Sequence, residues 1–178
     1  MEQLLVVTGP PGAGKSAVAG MLAQSAEPSA LVEGDAFFGF LGIGRIDPWL
    51  PESHQQNGVV MSAVGAAIGR FVSNGYFTVL DGVVGLWFLD DVLRAAGLRS
   101  ADDVILLPDV EVCVERVTAR SDNRFADDSA TRQMHHDFAA SVVEERFTLR
   151  RPVGDPVQVA AKIDAARVRG LLRYESEL

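Results

Sequence analysis

The segment VVTGPPGAGKSAV, residues 6 to 18, sets Gly9, Gly14, Lys15 and Ser16 in the spacing G-x-x-x-x-G-K-[ST]. It lies between the apolar run Leu4 to Val7 and an alanine-rich stretch that reads as helix. Glycines at this spacing let the backbone curl until successive N–H groups point into one concavity, and the helix that follows adds its positive end, so a polyphosphate is held largely by main chain. Gly9, Pro10, Pro11, Gly12, Ala13, Gly14, Lys15, Ser16 and Ala17 are therefore the expected nucleotide cradle. Within it Lys15 reaches the β- and γ-phosphates and the Ser16 hydroxyl ligates Mg²⁺, which makes ATP and Mg²⁺ the expected cofactors.

Two acids stand where such a ligand must end. Asp35, in EGDAF, follows the second predicted strand, and Asp81-Gly82 close the third, FTVLDG. Ligands of open parallel sheets gather beyond the carboxyl ends of the strands. Asp35 is thus a candidate base for an attacking hydroxyl, and Asp81 has the hydrophobic-then-acid form of a carboxylate that works on Mg²⁺, with Asp35, Asp81 and Gly82 facing the substrate. The competing reading makes each a turn or cap residue, since Asp and Gly both favour such positions.

A basic cluster, VERVTARSDNRFADDSATRQ, carries Arg116, Arg120, Arg124 and Arg132. Phosphoryl transfer needs positive charge delivered to the transferred oxygens and water kept out, and a closing lid does both. The polar break predicts a lid over about residues 121–132, with Arg120 and Arg124 catalytic and Arg120 also on the nucleotide. Arg116, four residues from Arg120, shares its helix face; the plainer alternative is a solvated charged face. Residues 36–51, AFFGFLGIGRIDPWLP, are too rich in Gly and Pro for one helix and too aromatic for an ordinary loop, so they pack on the core or roof a pocket. There Phe38 offers an apolar contact to a substrate and Arg45 could recognise an anion.

The elements that must position these residues alternate. Strands are expected at Leu4–Thr8, Ala30–Glu33, Phe77–Asp81 and Val104–Leu107, and helices at Ser16–Gln24, within Glu52–Ser73, at Trp87–Ala96 and at Val110–Arg120. This is the pattern of an α/β three-layer sandwich, a parallel sheet covered on both faces. Asn74-Gly75 and Gly97 end two helices, and Asp155-Pro156 opens the last with Asp as N-cap. At 178 residues, 48% hydrophobic, the chain suits a single domain spanning 1–178. Net charge of −8 and a pI near 4.8 leave no positive field to gather nucleic acid or an anionic membrane, so the expected partner is a small molecule. No apolar run reaches spanning length and no leader is evident, which together predict a cytoplasmic protein. Cys113, the one cysteine, reads as a small buried hydrophobe. His135-His136-Asp137 resembles a metal cluster, but neighbours on a helix point about 100 degrees apart and rarely share an ion. Trp49 and Trp87 read as packing residues, with Trp49 in the segment that could roof the pocket.

With the P-loop, the acid after the second strand and the arginine cluster, the chain resembles over nearly its full length the small P-loop kinases that include shikimate, gluconate and adenylate kinases. Its motifs are most similar to those of the chloramphenicol phosphotransferases: EGDAF stands where that family has its acid, and ARSDNR followed by TRQMHH where it has its lid. The resemblance implies a nucleoside-monophosphate-kinase-like fold, Asp35 as base, Lys15 and Ser16 on phosphate, and a lid arginine at Arg120 or Arg124, an inserted residue leaving that choice open. It also implies that Gly154 and Asp155, in RRPVGDPVQVAAKI, lie near the adenine. DPWLP is similar to the Pro-Trp-Leu of gluconate kinases but comes too soon after Asp35, and DGVVG replaces the glycine triplet of shikimate kinases. The expected activity is ATP-dependent phosphorylation of a hydroxyl on a small metabolite or antibiotic. A nucleotide or polynucleotide kinase is the second reading, and a nucleotide-dependent switch or regulatory ATPase, which needs neither substrate base nor lid, the third.

Overall fold

The computed structural model describes residues 3–119, 127–141, 145–152 and 154–176. Six strands form one sheet: β1 (Leu4–Thr8), β2 (Ser29–Glu33), β3 (Phe77–Asp81), β4 (Ser100–Leu107), β5 (Thr148–Arg150) and β6 (Arg173–Glu175). Strands β2-β3-β1-β4-β5 run parallel in that order, and β6 pairs antiparallel with the first residues of β4, Ser100 opposite Glu175. The expected parallel sheet therefore carries one antiparallel strand, and β5 and β6, three residues each, are too short to leave a periodicity in the sequence.

The strand Leu4-Leu5-Val6-Val7-Thr8 is buried throughout, as a strand covered on both faces must be. Its residues alternate between two cores. Leu4 and Val6 join Val32 and Leu80 under helices α2 (His54–Val72) and α3 (Leu86–Ala96). Leu5 and Val7 join Val79, Val104 and Leu106 under α1 (Lys15–Ala23) and α6 (Pro156–Val168). In α2 the buried positions Asn57, Val60, Met61, Val64 and Ile68 recur every three or four residues, which gives one apolar stripe against the sheet. Helix α4 (Val110–Thr118) follows β4, and α5 (Asp128–Ala140) closes over the end of β4 by packing Phe138 on Ile105 and Leu107. Asp155 caps α6 in a capping box, accepting from the Gln158 N–H at 2.9 Å while Gln158 Oε1 accepts from the Asp155 N–H at 3.2 Å. Among the described residues no helix is long and apolar enough to cross a membrane.

Strand β4 begins at Ser100, four residues before the apolar run, because it includes Asp102 and Asp103. Acids are depleted from strands and rarely fully buried, so the sequence expects a later start. Asp103 is completely buried, and among the described residues neither carboxyl oxygen has a hydrogen-bond partner. Burial raises its pKa from 3.8 to about 7. The folded chain therefore holds this proton where the unfolded chain releases it, and stability from this group is full below about pH 4 and lost as pH rises to about 7. The shift corresponds to at most about 4 kcal/mol. Asp103→Asn should accordingly flatten the profile: in urea unfolding its advantage over wild type should grow by a few kcal/mol between pH 5 and pH 8. Parallel profiles for the two proteins would show that Asp103 does not carry the proton.

Candidate active site

The first turn of the site is fixed by close approach. Gly12, at φ 78°, lies so near the Cys113 carbonyl of α4 that a Cβ there would collide with it, and Gly9, at φ 140°, is pressed in the same way against the Leu106 carbonyl of β4. Side chains at these positions would push the loop off the sheet. Cys113 itself is buried and reduced, with burial pushing its thiol pKa up, and its backbone rather than its sulfur serves the site. Arg116 Nη1 donates to the Gly12 carbonyl at 3.3 Å and so braces the loop from α4. Lys15, buried at the start of α1, donates from Nζ to the Pro10 carbonyl at 3.2 Å.

Two hydrogen-bond links tie the strand ends together over this loop. Thr8 Oγ1 donates to the Val84 carbonyl at 2.8 Å and accepts from the Val84 N–H at 2.9 Å, which joins the end of β1 to the segment after β3. Asp35, in the 3-10 turn that follows β2, accepts at Oδ1 from the Val83 N–H at 3.0 Å, which leaves Oδ2 for other work. Gly82 lies beside the Asp35 carboxylate. Asp81 is buried at the end of β3. Burial raises its pKa, the charges of Asp35 and Glu33 add to that rise, and the Ser16 hydroxyl and the Lys15 ammonium oppose it. Among the described residues Asp81 Oδ1 has no hydrogen-bond partner.

These residues open into one cavity of about 780 Å³ at the carboxyl ends of the strands. Its wall includes Pro11, Gly12, Gly14, Lys15, Ser16, Asp35, Phe38 and Asp81. Gly9, Pro10, Ala13, Ala17 and Gly82 do not line it. Three expected site residues lie elsewhere. Arg45 is exposed and outside the wall, in a turn at Gly44 (φ 89°) where its N–H donates to the Gly42 carbonyl at 3.3 Å. Gly154 and Asp155 also lie outside it, and the Asp155 carboxylate is occupied by the α6 cap. Arg120 and Arg124 fall outside the described residues, as does the first half of the expected lid, 121–126; residues 128–132 belong to α5, which Asp127 starts by accepting from the Ser129 N–H at 2.8 Å. Arg132 lies on that helix, paired with Glu111 at 2.7 Å and Asp128 at 2.7 Å, on a solvated charged face.

The cavity also brings in two residues that the sequence did not single out, His54 and Asn57, and two from the His135-His136-Asp137 run. His54 and Asn57 come from α2, His54 stacked on Phe88 with ring centroids 5.1 Å apart, and His136 and Asp137 come from α5. His135 instead turns inward, its Nε2 2.8 Å from the Pro108 carbonyl. The pair therefore points in two directions, as its spacing requires. Trp49 and Trp87 both line the cavity, Trp87 also packing on Phe138 at 5.7 Å, so each combines packing with a place in the wall.

No family model and no curated sequence matches the chain. Solved structures do. A sugar kinase from Janibacter sp. superimposes with a TM-score of 0.70 at 17% identity over 94% of each chain. Shikimate kinase from Acinetobacter baumannii, solved with shikimate, matches at 0.57 and 20% identity over 94% of this chain and 93% of that one. The tunicamycin resistance protein of Deinococcus radiodurans matches at 0.61 and 16% identity over 98% and 99%.

The close approach at Gly12 generates a paired test. Gly12→Ala should weaken nucleotide binding tenfold or more in calorimetry, whereas Gly20→Ala, whose Cβ meets nothing within 4 Å on α1, should leave binding unchanged and stabilise the fold by about 0.5–1 kcal/mol. Equal affinity in the two variants would separate the loop backbone from nucleotide binding. Strand order, the loop geometry at the end of β1 and these superpositions together establish that the chain has the fold of the small P-loop kinases.

Proposed function

We propose that this chain is an ATP- and Mg²⁺-dependent kinase that transfers the γ-phosphoryl group to a hydroxyl of a small molecule. The observation that carries this reading is the Asp35 carboxylate, anchored at one oxygen by the Val83 N–H and lining the same cavity as Lys15 and Ser16. A nucleotide switch has no use for an oriented carboxylate in that position. The kinase activities of the structurally similar proteins agree with it.

The residues present suit both cofactors. Curled P-loop amides and Lys15 suit a polyphosphate. Asp81, buried with an oxygen that lacks a partner, and the Ser16 hydroxyl beside it suit a hard cation that takes oxygen ligands. When bound, Mg²⁺-ATP supplies the transferable phosphoryl group and part of the charge shielding its transfer needs. Ser16 and Asp81 would hold the metal, and Lys15 would neutralise charge on the phosphates. Asp35 orients the acceptor hydroxyl and takes its proton at Oδ2 as the new O–P bond forms. Phe38, Trp49 and Trp87 keep water from the reacting oxygen. Arg120 and Arg124 remain the proposed source of charge for the transferred oxygens.

Asp35→Asn keeps an Oδ1 to accept from Val83 and so preserves the anchor. Its nucleotide affinity should stay within about threefold of wild type, while acceptor phosphorylation falls on the order of a hundredfold. Transfer at the wild-type rate would make Asp35 a turn residue and return the chain to the regulatory-ATPase reading.

A further inference from the structure

The hydroxyl of Thr8 stands where the sheet and the phosphate loop part. The register of β1 on β3 ends with Val7 opposite Asp81, and the Gly82 N–H donates to the Val7 carbonyl at 3.4 Å. Gly9, at φ 140°, then takes the chain into the loop on the β4 side, against the Leu106 carbonyl. Main chain from β1 can therefore no longer pair with the residues that follow β3. The Thr8 side chain takes over that pairing, its Oγ1 donating to the Val84 carbonyl at 2.8 Å and accepting from the Val84 N–H at 2.9 Å. Two bonds to one residue fix that residue's rotation, and they use the only hydrogen the hydroxyl has. Thr8 and Val84 are both buried, so bulk water does not compete for either bond.

Val83 is thereby held from both flanks, by Gly82 on Val7 and by Val84 on Thr8. Its own N–H, 3.0 Å from Asp35 Oδ1, is the group that orients the carboxylate. Asp35 comes from the turn after β2, and a Cβ on Gly82 would stand 3.5 Å from its Oδ1, so the carboxylate packs on this same short segment. A free aspartate turns about two side-chain bonds, and an N–H of fixed direction selects one of its orientations. The other four residues of β1 are aliphatic, Leu4, Leu5, Val6 and Val7. A valine at position 8 would fill nearly the same space as the threonine and lack only the hydroxyl.

We infer that Thr8 is a positioning residue for phosphoryl transfer: by holding Val84 it sets the direction of the Val83 N–H and, through it, the Asp35 carboxylate, relative to the phosphate cradle that begins at Gly9. The inference rests on the reading of Asp35 as the base. Without the hydroxyl, the Val84 N–H and carbonyl are left buried and without their partner, and the segment turns to recover one. The Val83 N–H then leaves Asp35, and the carboxylate loses its orientation although no substitution has touched it. A base displaced by on the order of 1 Å loses much of its effect. One residue between the sheet and the loop thus fixes the cradle and the base in a common frame.

Amide hydrogen exchange at Val83 in the full chain, measured by NMR relative to Val79 in the middle of β3 so that a general loss of stability cancels, reads the anchor directly. Thr8→Val should speed Val83 exchange on this scale by on the order of tenfold or more. Thr8→Ser, which keeps the hydroxyl, should not, and neither should Thr78→Val, which removes a buried hydroxyl from the start of β3. Should Thr8→Val not fold, Thr8→Cys, a weaker donor and acceptor, gives the same comparison in graded form. Hydrolysis of Mg²⁺-ATP, with water in the acceptor's place, reads the consequence. Thr8→Val should slow it about tenfold in the wild-type chain and leave it unchanged in Asp35→Asn, because a residue acting through Asp35 then has no base to position. Unchanged Val83 exchange in Thr8→Val, or an equal slowing with and without Asp35→Asn, overturns the inference. Hydrolysis at the wild-type rate in Asp35→Asn alone removes the base reading instead, and Val83 exchange then still decides whether Thr8 holds the carboxylate.

Discussion

A carboxylate buried beside one ammonium group governs the electrostatics at the centre of this molecule. Asp81 is held at the end of β3, where desolvation and the charges of Asp35 and Glu33 disfavour its ionised form, and Ser16 and Lys15 alone offset them. With three acids against one lysine, the centre carries more negative charge than it can balance. The proposed divalent cation would offset that charge, and Asp81 Oδ1 suits it as a ligand because no group among the described residues bonds it. The imbalance also explains why the nucleotide loop must be so firmly placed: an ammonium group displaced from Asp81 would leave the buried charge uncompensated.

That placement comes from backbone. Gly12 against α4 and Gly9 against β4 set the loop's distance from the sheet, and Arg116 holds its outer side. The Thr8–Val84 and Asp35–Val83 bonds then bring the ends of β1, β2 and β3 to a common edge. Because three strand ends are pinned by short links, the candidate base and the phosphate cradle sit on rigid elements, which suits an in-line transfer that depends on positioning. Around them, Trp49 reaches the cavity on a loop tied down by Gln56, which bonds both the N–H and the carbonyl of Ile46 at 2.8 and 2.7 Å.

The parts legible in the sequence are those with local causes. The P-loop needs its glycines and its lysine, and a strand that ends in an acid is visible as an apolar run with one carboxylate, so the cradle, Asp35 and Asp81 could be placed before any coordinates. The capping of α6 by Asp155 was legible for the same reason, although the resemblance to other kinases placed that residue near the adenine and the cap shows what occupies its carboxylate. What escaped were residues whose partners lie far along the chain. His54 and Asn57 carry no local signal, and His136 and Asp137 read only as a run unsuited to a metal; the four line one cavity because α2 and α5 both reach it. Arg45 carries a charge suited to a ligand, yet in the turn at Gly44 it is exposed and does not line the cavity. Asp102 and Asp103 hid the first half of β4, because burying an acid in a strand contradicts the rule by which strands are recognised.

The central claim is that Asp81 and Ser16 make the nucleotide site a metal-nucleotide site. Calorimetric titration of ADP into the wild-type chain and into Asp81→Asn, each with and without Mg²⁺, tests it directly. In the wild type Mg²⁺ should tighten ADP binding tenfold or more. In Asp81→Asn that tightening should vanish while metal-free ADP still binds, because the loop and Lys15 are untouched. An undiminished Mg²⁺ effect in the variant would contradict the account.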